Sequence, residues 1–372
     1  MVTARLVRRN GNSLRRSMPR AALVPLSWPP HMEPVLDRLQ RPMRNLRLSV
    51  TDRCNLRCQY CMPEEEYAWL PQKDVLSFEE TSRVVDRFLD CGVEKVRITG
   101  GEPLLRRDLE VLVRMLADKP RIRELAMTTN GVLLDKAAEP LRRAGLQRLT
   151  VSLDTLDPQV FRMLSRRDDH ARVLAGIEAA RSAGFEGLKL DTVVIRDIND
   201  TEVESLLAFA RRAGAEIRFI EYMDVGGETR WSMDRVVTRA QLLERLAAAF
   251  GAATPVPRTD SAPAERFTLP DGTTFGIISS VTAPFCASCD RSRLTADGMW
   301  FRCLYATEGT DLRAPLRAGA TDDQLRELLA HGWSQRADRG AEVRAAMERR
   351  EPLAQHAQLR LAPHLEMHTR GG

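Results

Sequence analysis

Three scarcities bound this chain before any motif is read. Aromatic residues fill only 5% of its 372 positions, five lysines (73, 95, 119, 136 and 189) stand among 56 basic residues, and no stretch of 18 apolar residues occurs. Without such a stretch there is no sequence for a membrane-spanning helix. Few aromatics, no helix-turn-helix pattern and cations spread over strands instead of grouped on one helix argue against a nucleic-acid-binding protein. A net charge of +5 adds no demand for such a partner. Taking five lysines from 56 leaves 51 arginines, a bias that reflects nucleotide composition in the source genome, so each retained lysine is only a faint signal. Cysteine is also sparse, at seven, and six of these are in metal-ligand spacing, which points to a reducing cytoplasm and not to a disulfide scaffold. The seventh, Cys91, ends an apolar helical pattern just before Gly92 and reads as a small core residue.

Acidic residues are absent from positions 1–30, which carry six arginines before position 21 and end in Trp28-Pro29-Pro30. Residues 1–45 therefore read as a basic leader, disordered at its start. Its charge suits an organellar transit peptide, its weak amphipathic pattern does not, and Met18 or Met32 is an alternative start.

Beyond the leader a strand-then-helix pattern repeats. Short apolar strands are expected at Leu46–Val50, Lys95–Ile98, Glu124–Met127, Leu149–Leu153, Leu188–Ile195 and Ile217–Tyr222, each with room for a crossover helix before the next, which requires a parallel sheet. The fold class is α/β: a partial (β/α)6 TIM-type barrel over residues 46–225. Ser77 and Glu80 form a capping box ahead of Val84, Val85, Phe88 and Leu89, with Gly92 closing that helix. After Asp224 the character changes. Gly226-Gly227, a helix near Ala240–Phe250, a Pro/Ala/Thr surface loop at 252–264, a hairpin from Phe267–Leu269 to Thr274–Ile278, and helices from Thr321 to Leu329 and over 340–350 make a smaller C-terminal domain, 226–372.

Side chains alternate along a strand. If Leu46, Leu48 and Val50 face the helices, then Arg47 and Ser49 face inward, and the same parity places Lys95, Arg97, Thr99, Thr128, Ser152, Asp154, Lys189 and Asp191 inside. A filled barrel would carry Val, Ile and Leu there. Unpaired buried cations cost several kcal/mol each in order of magnitude, so a polyanionic ligand or water is expected in this lumen.

The chemistry sits in two three-cysteine sets, Cys54-x3-Cys58-x2-Cys61 and Cys286-x2-Cys289-x13-Cys303. Each is one thiolate short of a closed site, and a cubane iron–sulfur cluster on three cysteinates leaves one iron open to a small molecule. The first set lies on the loop leaving the C-terminal end of the first strand, where barrel enzymes react. Taken alone it also fits a zinc knuckle with a remote fourth ligand. Thr99-Gly100-Gly101-Glu102-Pro103 succeeds the second strand, with glycines that let backbone approach a ligand closely. With Tyr60 before Cys61, these segments resemble the radical S-adenosylmethionine superfamily. That resemblance implies an open iron chelating the methionine moiety and one electron splitting the sulfonium to a 5′-deoxyadenosyl radical, with the Gly-Gly segment holding the methionine amino group.

The second set, with Asp290-Arg291-Ser292-Arg293-Leu294-Thr295, and the run Leu46-Arg47-Leu48-Ser49-Val50-Thr51-Asp52-Arg53-Cys54 are similar to the GTP 3′,8-cyclases, which begin molybdenum cofactor biosynthesis. The resemblance extends from Leu46 to Gly372. It implies two [4Fe-4S] clusters on Cys54, Cys58, Cys61, Cys286, Cys289 and Cys303, S-adenosylmethionine contacts at Tyr60, Gly101, Ser152 and Met223, and GTP contacts at Arg47, Arg97, Thr128, Lys189, Arg291 and Arg293, the last two in catalytic positions. The second open iron would bind the purine, hydrogen would leave ribose C3′, and C3′ would join C8 of guanine, giving (8S)-3′,8-cyclo-7,8-dihydroguanosine 5′-triphosphate. Gly371-Gly372 would reach into the active site. Gln40-Arg41-Pro42 stands where Gly-Arg-Pro is usual in the family, a change expected to be silent. The family further implies a cytoplasmic homodimer, a flavodoxin- or ferredoxin-like electron donor and a downstream cyclic pyranopterin monophosphate synthase. Two other readings remain at this point: a peptide-modifying radical maturase, which would usually carry a longer and more cysteine-rich C-terminal domain, and a metal-dependent nucleic-acid-binding or redox-sensing protein, against which the scarce aromatics and spread cations count.

Overall fold

Period-two alternation of apolar and polar residues builds the central sheet. The computed structural model describes residues 34–64, 67–225, 231–348, 350, 352–354, 358–359 and 362–371. Six strands, β1 (Asn45–Ser49), β2 (Lys95–Thr99), β3 (Glu124–Thr129), β4 (Arg148–Ser152), β5 (Lys189–Val194) and β6 (Glu216–Glu221), pair in sequence order and all in parallel. Each lies within a residue or two of its expected position. The helix Phe78–Asp90 starts on the Ser77/Glu80 capping box and buries Val84, Val85, Phe88 and Leu89 against the sheet. Cys91 is 1% exposed in the same core, as a packing residue should be. Among the described residues no helix is long and apolar enough to cross a membrane.

The C-terminal strands extend this sheet at both ends. β7 (Thr254–Pro255), β8 (Glu265–Thr268) and β9 (Thr274–Ile278) form an antiparallel set joined to β6 through β9, while β10 (Arg291–Leu294), β11 (Met299–Phe301) and β12 (Thr310–Asp311) join β1 through β10. Both junctions are parallel, so eight neighbouring strands, β10-β1-β2-β3-β4-β5-β6-β9, run the same way. The boundary expected at 225/226, with Gly226-Gly227, meets residues 226–230, which lie outside those described.

Three local expectations change. The 252–264 segment is not only a surface loop, since it contributes β7 and one wall of a cavity. The Arg-rich run 340–350 is helical over Gly340–Ala345, and Arg344 and Arg350 turn inward to Asp224, at 2.7 and 3.6 Å. Residues 34–45, expected as part of the leader, belong to the fold. There Asp37 caps the turn, accepting from the Leu39 and Arg41 amides at 2.9 Å, and Gln40 adopts φ 59°.

Gln40 is therefore expected not to be a silent replacement. It occupies the left-handed region that glycine enters freely and a side chain enters at a cost. Gln40→Gly is expected to raise stability by roughly 0.5–1 kcal/mol, measured by chemical denaturation; an unchanged midpoint would show that the turn carries no strain.

Candidate active site

Strand register gathers the cations. Arg293 on β10, Arg47 on β1 and Arg97 on β2 are successive register partners across three strands, and Arg291, Asn45 and Lys95 form the row beside them. The inward parity expected from sequence holds. Arg47, Thr99, Thr128, Ser152, Asp154, Asp191, Arg291 and Arg293 line one cavity of about 240 Å³. Lys95, Arg97 and Lys189 line a second, of about 600 Å³, walled in part by the 252–264 segment. Arg97 reaches back toward the first by donating to the hydroxyls of Thr128 (3.2 Å) and Thr150 (3.0 Å).

The guanidiniums repel one another. Arg47 is held well below its ordinary pKa by burial first and then by Arg293, Arg97 and Arg291. Burial and then Arg291 bring Arg293 down to about 10. Lys189 is lowered to about 8 by burial, then Arg218 and Arg148. On the same walls, Asp191 Oδ1, Thr99 Oγ1 and Arg291 Nε are buried without a hydrogen-bond partner. A polar anion of several oxygens would relieve both the repulsion and the orphaned groups.

The loop carrying Cys54, Cys58 and Cys61 closes one wall of the smaller cavity. It is strapped down by the Arg57 and Gln59 amides, which donate to the carbonyls of Ser165 (2.9 Å) and Leu164 (3.0 Å). Burial raises all three thiols, with Glu102 adding to it at Cys54, which reaches about 11, and Cys54 adding to it at Cys58 and Cys61. Three half-buried thiols, two of them raised by the first, become thiolates only beside a strongly positive group, which is what a metal centre supplies. Among the described residues no three His, Cys, Asp or Glu side chains are grouped to hold a single metal ion. In a cubane each thiolate takes a different iron, so the three need not meet at one point. The donor set therefore fits an iron–sulfur cluster.

Gly100 and Gly101 have a role beyond ligand access. Gly101 donates to Thr51 O at 2.8 Å and Glu102 to Arg53 O at 2.7 Å, so the β2 exit lies directly on the cysteine loop. A Cβ on Gly101 would sit 2.3 Å from Arg53 O. The buried Glu102 carboxylate then accepts from Thr129 Oγ1 (2.7 Å) and the Asn130 amide (2.7 Å), while Asn130 Nδ2 donates to Asn55 Oδ1 (2.8 Å). Glu102 thus braces the ends of β2 and β3 to the loop, even though burial raises its pKa to about 7. Nothing in the sequence pattern assigns this role, and a buried acid three residues beyond Thr99 is its only signal.

Cys286, Cys289 and Cys303 line an adjoining cavity with Arg291, Arg293 and Met223. Burial raises Cys286. At Cys289 the same burial is outweighed by Arg291 and Arg336, which bring the thiol down to about 6. Both guanidiniums donate to its sulfur, at 3.3 and 3.4 Å. Arg336 is held in turn by Asp37 at 2.9 Å, and Asp37 also pairs with Arg41, which donates to Cys286 O at 2.7 Å. The leader-side turn is thus the foundation of the second cysteine site.

Comparison with known proteins fits this geometry. Residues 48–210 match the radical SAM superfamily and residues 215–342 match the Molybdenum Cofactor Synthesis C family. GTP 3′,8-cyclase 1 of Mycobacterium tuberculosis is 56% identical over 342 residues, spanning 91% of this chain and 95% of its own. The GTP 3′,8-cyclase of Acidothermus cellulolyticus is 49% identical over 84% of this chain and 89% of its own. The chain belongs to the GTP 3′,8-cyclase family. Streptococcus suis SuiB, solved bound to S-adenosylmethionine, shares the fold at a TM-score of 0.55 and 15% identity over 78% of this chain and 68% of its own.

For a member of the GTP 3′,8-cyclase family, the expected site residues separate clearly in space. Tyr60, Gly101, Ser152 and Met223 all line the cavity closed by the first cysteine loop, as do Arg47, Thr128, Arg291 and Arg293. Arg97 and Lys189 face the other cavity. Arg291 is largely engaged, donating to Cys289 and lying over the Phe285 ring at 4.6 Å. The C-terminal tail enters the same cavity. Arg47 donates to Gly371 O at 2.8 Å, Arg293 to Arg370 O and Gly371 O at 2.9 and 3.0 Å, and Ser49 to Thr369 O at 2.7 Å. Gly372 lies outside the described residues. Asp154, which accepts from the Tyr60 hydroxyl at 2.6 Å and which burial raises to about 6, is a further cavity residue, one that strand parity places inward without assigning it a role.

Proposed function

We propose that this chain converts GTP to (8S)-3′,8-cyclo-7,8-dihydroguanosine 5′-triphosphate, the first step of molybdenum cofactor biosynthesis. The observation that carries the reading is the register row Arg293–Arg47–Arg97, a set of mutually repelling guanidiniums of which Arg293 and Arg47 line the cavity with one three-cysteine set in its wall and the other beside it, and Arg97 lines the second cavity. A cluster on Cys54, Cys58 and Cys61 with S-adenosylmethionine bound would supply hydrogen abstraction. The protein's own residues bind and orient.

In this reading Tyr60, Gly101, Ser152 and Met223 hold S-adenosylmethionine, while Arg47, Arg97, Thr128 and Lys189 hold the nucleotide. Planar guanidinium forks suit phosphate oxygens, and the lowered pKa of Lys189 would recover beside an anion. Cys286, Cys289 and Cys303 would hold a second [4Fe-4S] cluster, which would supply an open iron for the base. Arg293, at the end of the register row, and Arg291, beside it against Cys289, hold the nucleotide so that C3′ lies near C8, and orientation of this kind is the main lever a protein has on a cofactor-driven reaction. Residues 46–225 form the radical domain and 226–372 the substrate-side domain. A cytoplasmic homodimer, a flavodoxin- or ferredoxin-like electron donor and hand-over to a cyclic pyranopterin monophosphate synthase complete the reading.

The deciding experiment is anaerobic. Protein reconstituted with iron and sulfide is reduced and given S-adenosylmethionine with or without GTP, and mass spectrometry tracks 5′-deoxyadenosine and a cyclised GTP isomer. Formation of both only with GTP is expected. 5′-Deoxyadenosine without the isomer would overturn the substrate, and neither product would overturn the reaction class.

A further inference from the structure

Arg370 is 3% exposed, two residues from the C-terminus. Four of its five N–H donors reach main-chain carbonyls: Nη1 to Leu304 O (3.1 Å) and Ala306 O (2.5 Å), Nε to His364 O (3.1 Å) and Nη2 to Leu365 O (2.7 Å). Its guanidinium also lies over the fully buried ring of Phe301, 4.6 Å from the centroid. Phe301 centres a small core separate from the main one.

These partners are all neutral. An arginine is rarely buried among carbonyls alone, because the cost of removing its charge from water must be offset by every donor being used. Burial accordingly lowers its pKa to about 10, against an upward pull from Cys303 and Glu366. A long apolar residue such as methionine would lie over Phe301 without that cost, so packing does not account for the choice.

What the side chain accomplishes is a connection. Leu304 and Ala306 belong to the loop leaving Cys303. Arg370's own carbonyl and that of Gly371 receive Arg293, and Gly371 O also receives Arg47. We infer that Arg370 is a positioning residue for the reaction: its guanidinium latches the C-terminal tail to the Cys303 loop, so that the second cysteine site, the tail and the Arg293–Arg47 pair are set as one unit. This rests on the cyclase reading for its effect on turnover, but the latch itself does not depend on the substrate. A tail held only by its glycines would leave the two guanidiniums free to splay, since they repel one another.

The test compares reconstituted wild-type protein with R370M and R370K. Hydrogen exchange read on the C-terminal peptide is expected to quicken by about tenfold or more in R370M. GTP turnover is expected to fall by about tenfold or more, with kcat taking the loss, the KM for S-adenosylmethionine unchanged and iron content retained. R370K keeps the charge but not the planar fork, so it should fall between the two in both measurements. Turnover and exchange of R370M near wild-type would overturn the proposal, as would fast exchange with full turnover, or lost turnover with a protected tail. If R370M fails to retain iron, R370K decides, because it keeps the charge but not the planar fork that reaches the carbonyls: exchange and turnover at the wild-type level in it would overturn the latch. A wild-type protein that makes no cyclised GTP would sink the functional reading instead, while the exchange comparison, which uses no substrate, still judges Arg370.

Discussion

Arg293→Ala should abolish most GTP cyclisation, lowering turnover by about a hundredfold or more, the usual effect of removing one preorganised donor from a reacting centre. Both three-cysteine sets should keep the iron of the clusters proposed for them. Among the described residues Arg293 bonds to no cysteine; those contacts belong to Arg291 and Arg336, which donate to Cys289 at 3.3 and 3.4 Å. Arg293 instead donates to two tail carbonyls and stands opposite Arg47 in the strand register. Its removal takes away one of three aligned guanidiniums and also frees the tail on one side, two losses in the same part of the cavity. The check is iron per chain together with cyclised GTP from the same preparation. Product formed at the wild-type rate would remove Arg293 from the reaction, and iron lost along with activity would mean that its role is to support the second cysteine set.

How far this site is legible in the sequence depends on the range of the interactions that make it. The strand positions and the inward parity of Arg47, Arg97, Thr128 and Lys189 are legible because period-two alternation is local and each strand keeps its own phase. Cysteine spacing is legible for the same reason. Register between distant strands is not: β10 settles beside β1, so Arg291 and Arg293 join Arg47 by a pairing that no local pattern encodes. Their assignment comes from family resemblance, and the pairing gives its physical reason. The same limit hides the Asp37–Arg336 pair, whose members are 299 residues apart, and leaves the turn around Gln40 looking like leader. Division of the lumen into two cavities is also out of reach, because parity tells which face a side chain takes but not how far along the barrel axis it sits. Lys189 and Arg97 share the inward face with Arg47 and still open onto a different space.

Gly101→Ala is expected to be as damaging as loss of a cysteine, by a different route. Its Cβ would lie 2.3 Å from Arg53 O and 2.7 Å from Asp52 O, and both are main-chain atoms that cannot rotate away. Gly100 would similarly meet Thr51 O at 2.7 Å. Relief requires residues 51–53 to move, and Cys54 is the next residue. The Glu102 brace moves with them, because its amide donates to Arg53 O and its carboxylate ties β3 to the same loop. A displacement of about 1 Å in a group that positions a reaction can cost a hundredfold, and here the displaced group is a proposed cluster ligand. Iron held by the first site should fall sharply, with S-adenosylmethionine cleavage falling in proportion, as read by iron analysis and 5′-deoxyadenosine yield. Gly184→Ala is the control. Gly184 has φ 75° but nothing within 4 Å of its Cβ position, so alanine there should cost only about 1 kcal/mol of backbone strain and leave iron untouched. If the Gly101 variant keeps its iron and activity while the Gly184 variant is merely less stable, the close approach of β2 to the cysteine loop is not what sets the geometry of the site.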